Sequence, residues 1–323
     1  MTVLAASARI GFVCCACLLI CVAVFAAAEG AVGEWTTHVN SYDVRSVAVE
    51  GSLVWGATTG GAVRYDPASR SFIKLVRERS GALVSNELSC VAVGDGGRLW
   101  LGTAGWGLNL LYRDGWTLFA EGFTDLPSNN IRCLSSNGGS LWVGTSNGLA
   151  LFEGSTLSGA YDVSSTSGGI PNNVINDVRV VADTVWCATE GGVGRGVKSG
   201  GVYTWQVVNG GLGNLGVLCV GSFQGATWVG TRDGTYRYEG GTWVKKADVV
   251  PCRPLALERA GESFFAAAAD SGVFVWQSGS WQRVSPYIAG VSYRDLAADA
   301  GGLLWCAASK GLLSYDGARW DQY

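Results

Sequence analysis

The chain is expected to fold as an all-β, seven-bladed β-propeller whose blades are four-stranded antiparallel sheets. Three observations carry that expectation. An anchor position recurs seven times in phase, centred on Trp55, Trp100, Trp142, Trp186, Trp228, Ala266 and Trp305, with spacings by subtraction of 45, 42, 44, 42, 38 and 39 residues. A repeat of that length with several short apolar runs per copy indicates small sheets closed into a ring. Composition agrees: charged residues make up 15% of the chain and glycines number 48 of 323, where an ordinary domain is roughly 25% charged. Finally, Asn-Gly and Asp-Gly pairs, the strongest short hairpin signals, separate apolar runs at Asn147-Gly148, Asp114-Gly115, Asp233-Gly234 and Asp316-Gly317.

The third copy shows the elements in order. Asn130-Ile131-Arg132-Cys133-Leu134 reads as strand a, and residues 136–139 turn the chain. Residues 140–145 form strand b around Trp142, Ser146-Asn147-Gly148 turns again, and 149–152 form strand c. Glu153-Gly154 leads into a fourth strand near Leu157, which elsewhere carries Trp116, Trp205, Trp243, Trp281 or Trp320. Thirteen of the 14 tryptophans fall in these phased positions and are assigned to packing between blades, each burial worth several kcal/mol at ~25 cal/mol per Å². In the sixth copy, Gly272 places Ala266 at the anchor, with Phe264 and Phe265 refilling the gap. Eight fourth-strand segments exist for seven blades. Either Trp35-Thr36-Thr37 or Trp320-Asp321-Gln322 completes the last blade, and the sequence leaves the choice open.

Residues 1–28 stand apart. They carry one charge, Arg9, then an apolar or small run from Ile10 to Ala28 that ends Ala26-Ala27-Ala28. Small residues there suit signal-peptide cleavage; an uncleaved anchor is the alternative, because the run is just long enough to cross a bilayer of ~30 Å. The expected organisation is a signal peptide at 1–28, a short linker at 29–34 and the propeller at 35–323. The protein is therefore placed outside the cytoplasm, whether periplasmic, on the cell surface or secreted.

Without Arg9 the chain has 22 basic and 26 acidic residues, a net charge of −4. The dense basic footprint of a nucleic-acid binder is absent, and membrane contact is confined to the N-terminal segment if it stays uncleaved. Six cysteines follow residue 28. Cys90, Cys133 and Cys219 share one repeat position, while Cys187 and Cys306 each follow an anchor Trp. Equivalent sites in successive blades point the same way round a ring, so free thiols acting as small hydrophobes are expected. No Cys-x-x-Cys or Cys/His cluster marks a metal site, and no cofactor is expected.

These copies resemble the two-component regulator propeller repeat. Asp95-Gly96-Gly97-Arg98-Leu99-Trp100-Leu101-Gly102-Thr103 matches the middle of its pattern, Gly311-Leu312-Leu313-Ser314-Tyr315-Asp316 the end and Asn129-Asn130-Ile131 the beginning. The resemblance spans residues 35–323. It implies a periplasmic sensor region of the kind that binds carbohydrate fragments, or a surface component of secretion machinery. With no second propeller and no kinase domain after it, the chain is expected to be a binding or scaffolding module and not a complete receptor.

Candidate site residues fall into two groups. Asp177 and Asp295 share the strand a position of the three cysteines, with Arg45, Arg132 and Arg294 at the adjacent position. They either pair to seal the inner end of the ring or line a polar axial pocket, where arginine would make bidentate contacts to a saccharide carboxylate. On the face shared by the d-to-a and b-to-c loops, the d-to-a loops are long before blades two to five, and loops carry recognition. The b-to-c loop of blade two holds Trp106 between Gly105 and Gly107, out of phase with every other tryptophan. It either stacks on a ligand or covers an adjacent loop, with Glu190, Arg232 and Asp233 as polar companions. The single histidine, His38, has no paired acid or nucleophile motif. The reading is a non-enzymatic exported module that binds a glycan or envelope protein. A structural subunit of an envelope or secretion assembly is the alternative, and a propeller glycosidase or lyase is a third.

Overall fold

A computed structural model describes residues 43–77, 83–246, 253–285 and 290–323. Twenty-eight strands form seven four-stranded antiparallel sheets, each built from four consecutive strands. Blade 1 is β1–β4 (44–75), blade 2 β5–β8 (88–119), blade 3 β9–β12 (131–161) and blade 4 β13–β16 (175–207). Blade 5 is β17–β20 (217–245), blade 6 β21–β24 (254–283) and blade 7 β25–β28 (293–322). The first strand of each blade contacts the first strand of the next, and β25 returns to β1, so these seven strands line the axis. This is the seven-bladed propeller that the repeat predicts.

The anchors hold one register throughout. Trp55, Trp100, Trp142, Trp186, Trp228 and Trp305 lie opposite Ala48, Ala92, Ser135, Arg179, Gly221 and Ala297. In blade 6 the matching residue, opposite Glu258, is Phe265. The anchor there is Phe265 and not Ala266. Its b-to-c turn holds three residues, 269–271, where blade 3 has two. That extra residue moves Gly272 one place along, which misplaced the count. Another shift occurs at the blade 2 hairpin, where Arg113 and Asp114 occupy the turn at φ 49° and 62° and Gly115 already belongs to β8 (Gly115–Phe119).

Packing runs between blades. Cys133, Trp142 and Leu149 of blade 3 form one cluster with Ile175, Val178 and Val185 of blade 4. Gly144 explains why a glycine follows the anchor: a Cβ there would sit 2.8 Å from the Ile175 side chain of the next sheet. The five described cysteines are buried and unpaired. Cys219 Sγ lies 3.4 Å from the Pro254 carbonyl of the next blade, and burial pushes the Cys90 thiol up to about 12. Cys252 lies outside the described residues.

Trp320 completes blade 7: it pairs with Tyr315 and donates Nε1–H to the Val284 carbonyl at 3.0 Å. Trp35, the other candidate, lies outside the described residues. The seam between blades 7 and 1 is apolar, with Val44, Val47, Val54 and Tyr65 against Trp305, Ala307 and Leu312. Asp295 Oδ2 accepts the Val47 N–H across it at 3.0 Å.

Candidate functional site

The ends of the long d-to-a loops are joined by one recurring asparagine. Asn86, Asn129 and Asn173 each stand two residues before the first strand residues Leu88, Ile131 and Ile175. Their side-chain Oδ1 atoms accept backbone N–H from Arg77, Glu121 and Val163 at 2.7, 2.8 and 2.8 Å, fastening the loop start to its end. Their carbonyls accept N–H from the b-to-c turn of the preceding blade: Gly61, Gly107 and Gly148 at 2.7, 2.9 and 2.8 Å. Each asparagine thus ties a loop to a turn, satisfying groups a free loop would leave to water. Asn129-Asn130-Ile131 carried this signal in the sequence. Before blades 5, 6 and 7 the position is Leu215, Cys252 and Val291. The loop before blade 5, expected among the long ones, spans only 208–216, shorter than 76–87, 120–130 and 162–174, so the long loops precede blades 2 to 4 alone.

Trp106 sits on one of these tied turns. The N–H groups of both flanking glycines, Gly105 and Gly107, bond to the Asn129 carbonyl, and the Trp106 N–H bonds to Thr103 Oγ1 at 3.0 Å. Its side chain is 62% exposed, whereas Trp142 is 1% exposed. The loop that Asn129 closes presents Phe123, at 90% exposure.

The other predicted residues gather at the axial mouth, with one exception. Arg294 and Arg45 share Asp43 at 2.6 and 3.9 Å, and Arg45 also reaches Glu87 at 3.2 Å. Arg132 donates to the Ile175 carbonyl at 3.1 Å and to Asn176 Oδ1 at 2.7 Å. Asn176 passes the chain on to Glu190 at 3.0 Å, and Arg232 meets the other Glu190 oxygen at 2.8 Å. The Asn176 hydrogen bond, then Arg232, hold the Glu190 carboxyl below its usual range. Glu190 and Arg232 therefore belong with Arg132 and not with Trp106. Asp233 joins neither group. It is bound by Thr231 and Tyr236 in its own turn, with Lys245 at 3.8 Å, and these bonds hold its carboxyl low against the opposing effect of burial. His38 lies outside the described residues.

Below the mouth is an axial cavity of about 460 Å³ lined by inner-strand residues of six blades, all except blade 5. Asp177 and Asp295 lie on its wall, each committed to backbone. Asp177 Oδ2 accepts the Val220 N–H of the next blade at 2.8 Å, as Asp295 does for Val47. Ser46, at the same repeat position, accepts Val91 N–H at 3.3 Å. Burial pushes the Asp177 carboxyl up to about 6 and raises Asp295 as well. One axial pair escaped the sequence reading. Arg179 of blade 4 reaches past blade 5 to Glu258 of blade 6 at 2.7 Å; Gly221, at the same repeat position in blade 5, packs so closely on blade 6 that a Cβ would lie 2.6 Å from Leu257. The signal was two opposite charges at a repeat position held elsewhere by Ala48, Ala92, Ser135, Gly221 and Ala297. Among the described residues no group of three His, Cys, Asp or Glu side chains is placed to hold a metal ion. No helix among them is long and apolar enough to cross a membrane.

No protein-family model matches this chain, and no curated protein matches its sequence. Solved structures do match. The extracellular domain of a putative one-component system from B. thetaiotaomicron superposes at TM-score 0.70 and 19% identity, over 85% of this chain and 38% of that one. PorZ, an essential surface component of the type-IX secretion system of Porphyromonas gingivalis, gives 0.66 and 15%, over 89% and 39%. A streptogramin B lyase gives 0.67 and 15%, over 88% and 95%. The chain thus spans well under half the length of the sensor and secretion proteins it matches. At these identities the likeness establishes the fold.

Proposed function

We propose that this is an exported, non-enzymatic binding propeller that recognises a glycan or envelope protein through its loop face. The observation that carries the reading is the fixed presentation of Trp106: an aromatic outside the repeat phase, exposed, on a turn whose two glycines both bond to Asn129. Exposed rings held rigidly bind at low entropic cost. The charged mouth formed by Arg45, Arg132, Arg294, Glu190 and Arg232 is the second contact zone, and Asp233 supports the adjoining turn. Export is supported by the apolar N-terminal run, by the two-component propeller pattern of the repeats, and by the extracellular and surface placement of the structural neighbours.

Lyase propellers share the fold, and one neighbour is a lyase described as catalytically inactive once a histidine is replaced by alanine. The single histidine here, His38, precedes the first blade and is accompanied by no catalytic set. The likeness to PorZ supports the structural-subunit reading, which co-purification from the native host would separate from ligand binding. The test is a glycan array together with co-purification, each run with the native chain and with Trp106→Ala. Binding without turnover, lost in Trp106→Ala at unchanged thermal stability, is expected. Turnover of a bound glycan, or binding indifferent to every loop-face substitution, would contradict the reading.

A further inference from the structure

The tied loop 120–130 carries more than Phe123. Glu121 and Asp125 flank that ring and are both exposed, and among the described residues neither carboxylate has a hydrogen-bond or ion-pair partner. The arrangement is compact. Glu121 N–H and the N–H groups either side of Trp106 all bond to one residue, Asn129, and a Cβ on Gly107 would lie 3.2 Å from Ala120. Phe123 N–H and Thr124 N–H both return to the Ala120 carbonyl at 3.1 and 2.9 Å, so the loop tip is itself a closed turn. Two exposed rings and two unneutralised carboxylates therefore share one rigid platform. The nearby arginines do not cancel that charge, since Arg45, Arg132 and Arg294 are bonded at the mouth to Asp43, Glu87, Asn176 and the Ile175 carbonyl.

From this we infer that the platform is a docking surface for a basic, apolar-anchored segment of a partner protein. The inference rests on the loop-face reading and names the partner for it. The chemistry selects that occupant. On the loop 120–130 the charged side chains, Glu121 and Asp125, are acceptors only, matching lysine and arginine, which are donors only, and a cation can also sit over the Trp106 face. Phe123, at 90% exposure, offers a wholly apolar knob of the kind that fills a pocket between aliphatic side chains.

The test uses arrayed twelve-residue peptides in which Lys/Arg content and Leu/Phe content vary independently. A parallel array carries neutral and anionic oligosaccharides. The full chain is expected to select peptides that are both basic and apolar. Phe123→Ala should weaken the selected peptides at least about tenfold. The double variant Glu121→Gln/Asp125→Asn should weaken them about three- to tenfold and flatten their salt dependence. Thermal midpoints of all variants should match the native chain. Failure to select basic apolar peptides, or selection untouched by these variants, overturns the inference. Glycan binding that is lost in Trp106→Ala yet indifferent to the carboxylate variant also overturns it and leaves the loop-face reading standing. Glycan or peptide binding untouched by every loop-face variant, Trp106→Ala included, overturns both.

Discussion

The axial wall and the loop face over blades 2 and 3 use polar side chains in opposite ways. On the wall, Asp177 and Asp295 each accept an amide N–H from the next blade, Ser46 accepts another, and Arg179 is spent on Glu258. On the loop face the asparagines do the fastening from within the backbone, leaving Trp106, Glu121, Phe123 and Asp125 pointing into solvent. Buried polar groups must be satisfied where they lie, so the inner strands consume their own hydrogen-bonding capacity. The loop face is built in two layers, one that holds and one that is held. Stability belongs to the first region, and the proposed recognition to the second.

The strongest way to break that division is a pair of tryptophan truncations. Trp142→Ala removes a ring at 1% exposure and should cost about 3–5 kcal/mol in chemical denaturation. Trp106→Ala should stay within about 0.5 kcal/mol of the native chain. Equal losses would place Trp106 in the core and dissolve the comparison. Next in size is Asn129→Ala, which removes the acceptor for Glu121 N–H and should cost about 1–2 kcal/mol. The sharper readout is amide exchange: residues 120–124 should lose protection while the blade 3 strands keep theirs. Unchanged exchange would show that the loop does not need its clasp.

Asp177 sharpens the wall side. Its native carboxyl holds a proton up to about pH 6, against 3.8 for the ordinary group. Between those values the native state binds more protons than the unfolded one, so stability falls as pH rises through that window. Asp177→Asn should remove this contribution, giving a shallower fall in denaturation midpoint from pH 4 to pH 7 than the native chain shows. An identical slope would mean that Asp177 titrates normally. The smallest effect belongs to the mouth: Glu190→Gln breaks a half-exposed pair with Arg232 and should cost under about 1 kcal/mol in denaturation.

The ring itself was legible because tryptophan recurs in phase, and phase survives local variation. It failed at Phe265, where a three-residue turn shifted the marker glycine while the register stayed fixed. The closing strand was not legible, since Trp35 and Trp320 carry equivalent motifs and only the pairing of Trp320 with Tyr315 distinguishes one of them. Arg45, Arg132 and Arg294 were found because they share a repeat position. Arg179 and Glu258 come from blades that are not neighbours, and only the closed ring brings them within 2.7 Å of each other. Grouping Glu190, Arg232 and Asp233 with Trp106 required distances that loop membership does not supply. The asparagine clasps were visible as a recurring residue, but their double bonding is a three-dimensional fact.

Amide hydrogen exchange across the whole chain, with and without a saturating array-selected ligand, tests the assignment of binding to the loop face most directly. New protection should fall on residues 104–107 and 120–130, with any remainder at the mouth around Arg132 and Asn176. Protection confined instead to the opposite face, at the a-to-b turns 95–97 and 138–139, would contradict it.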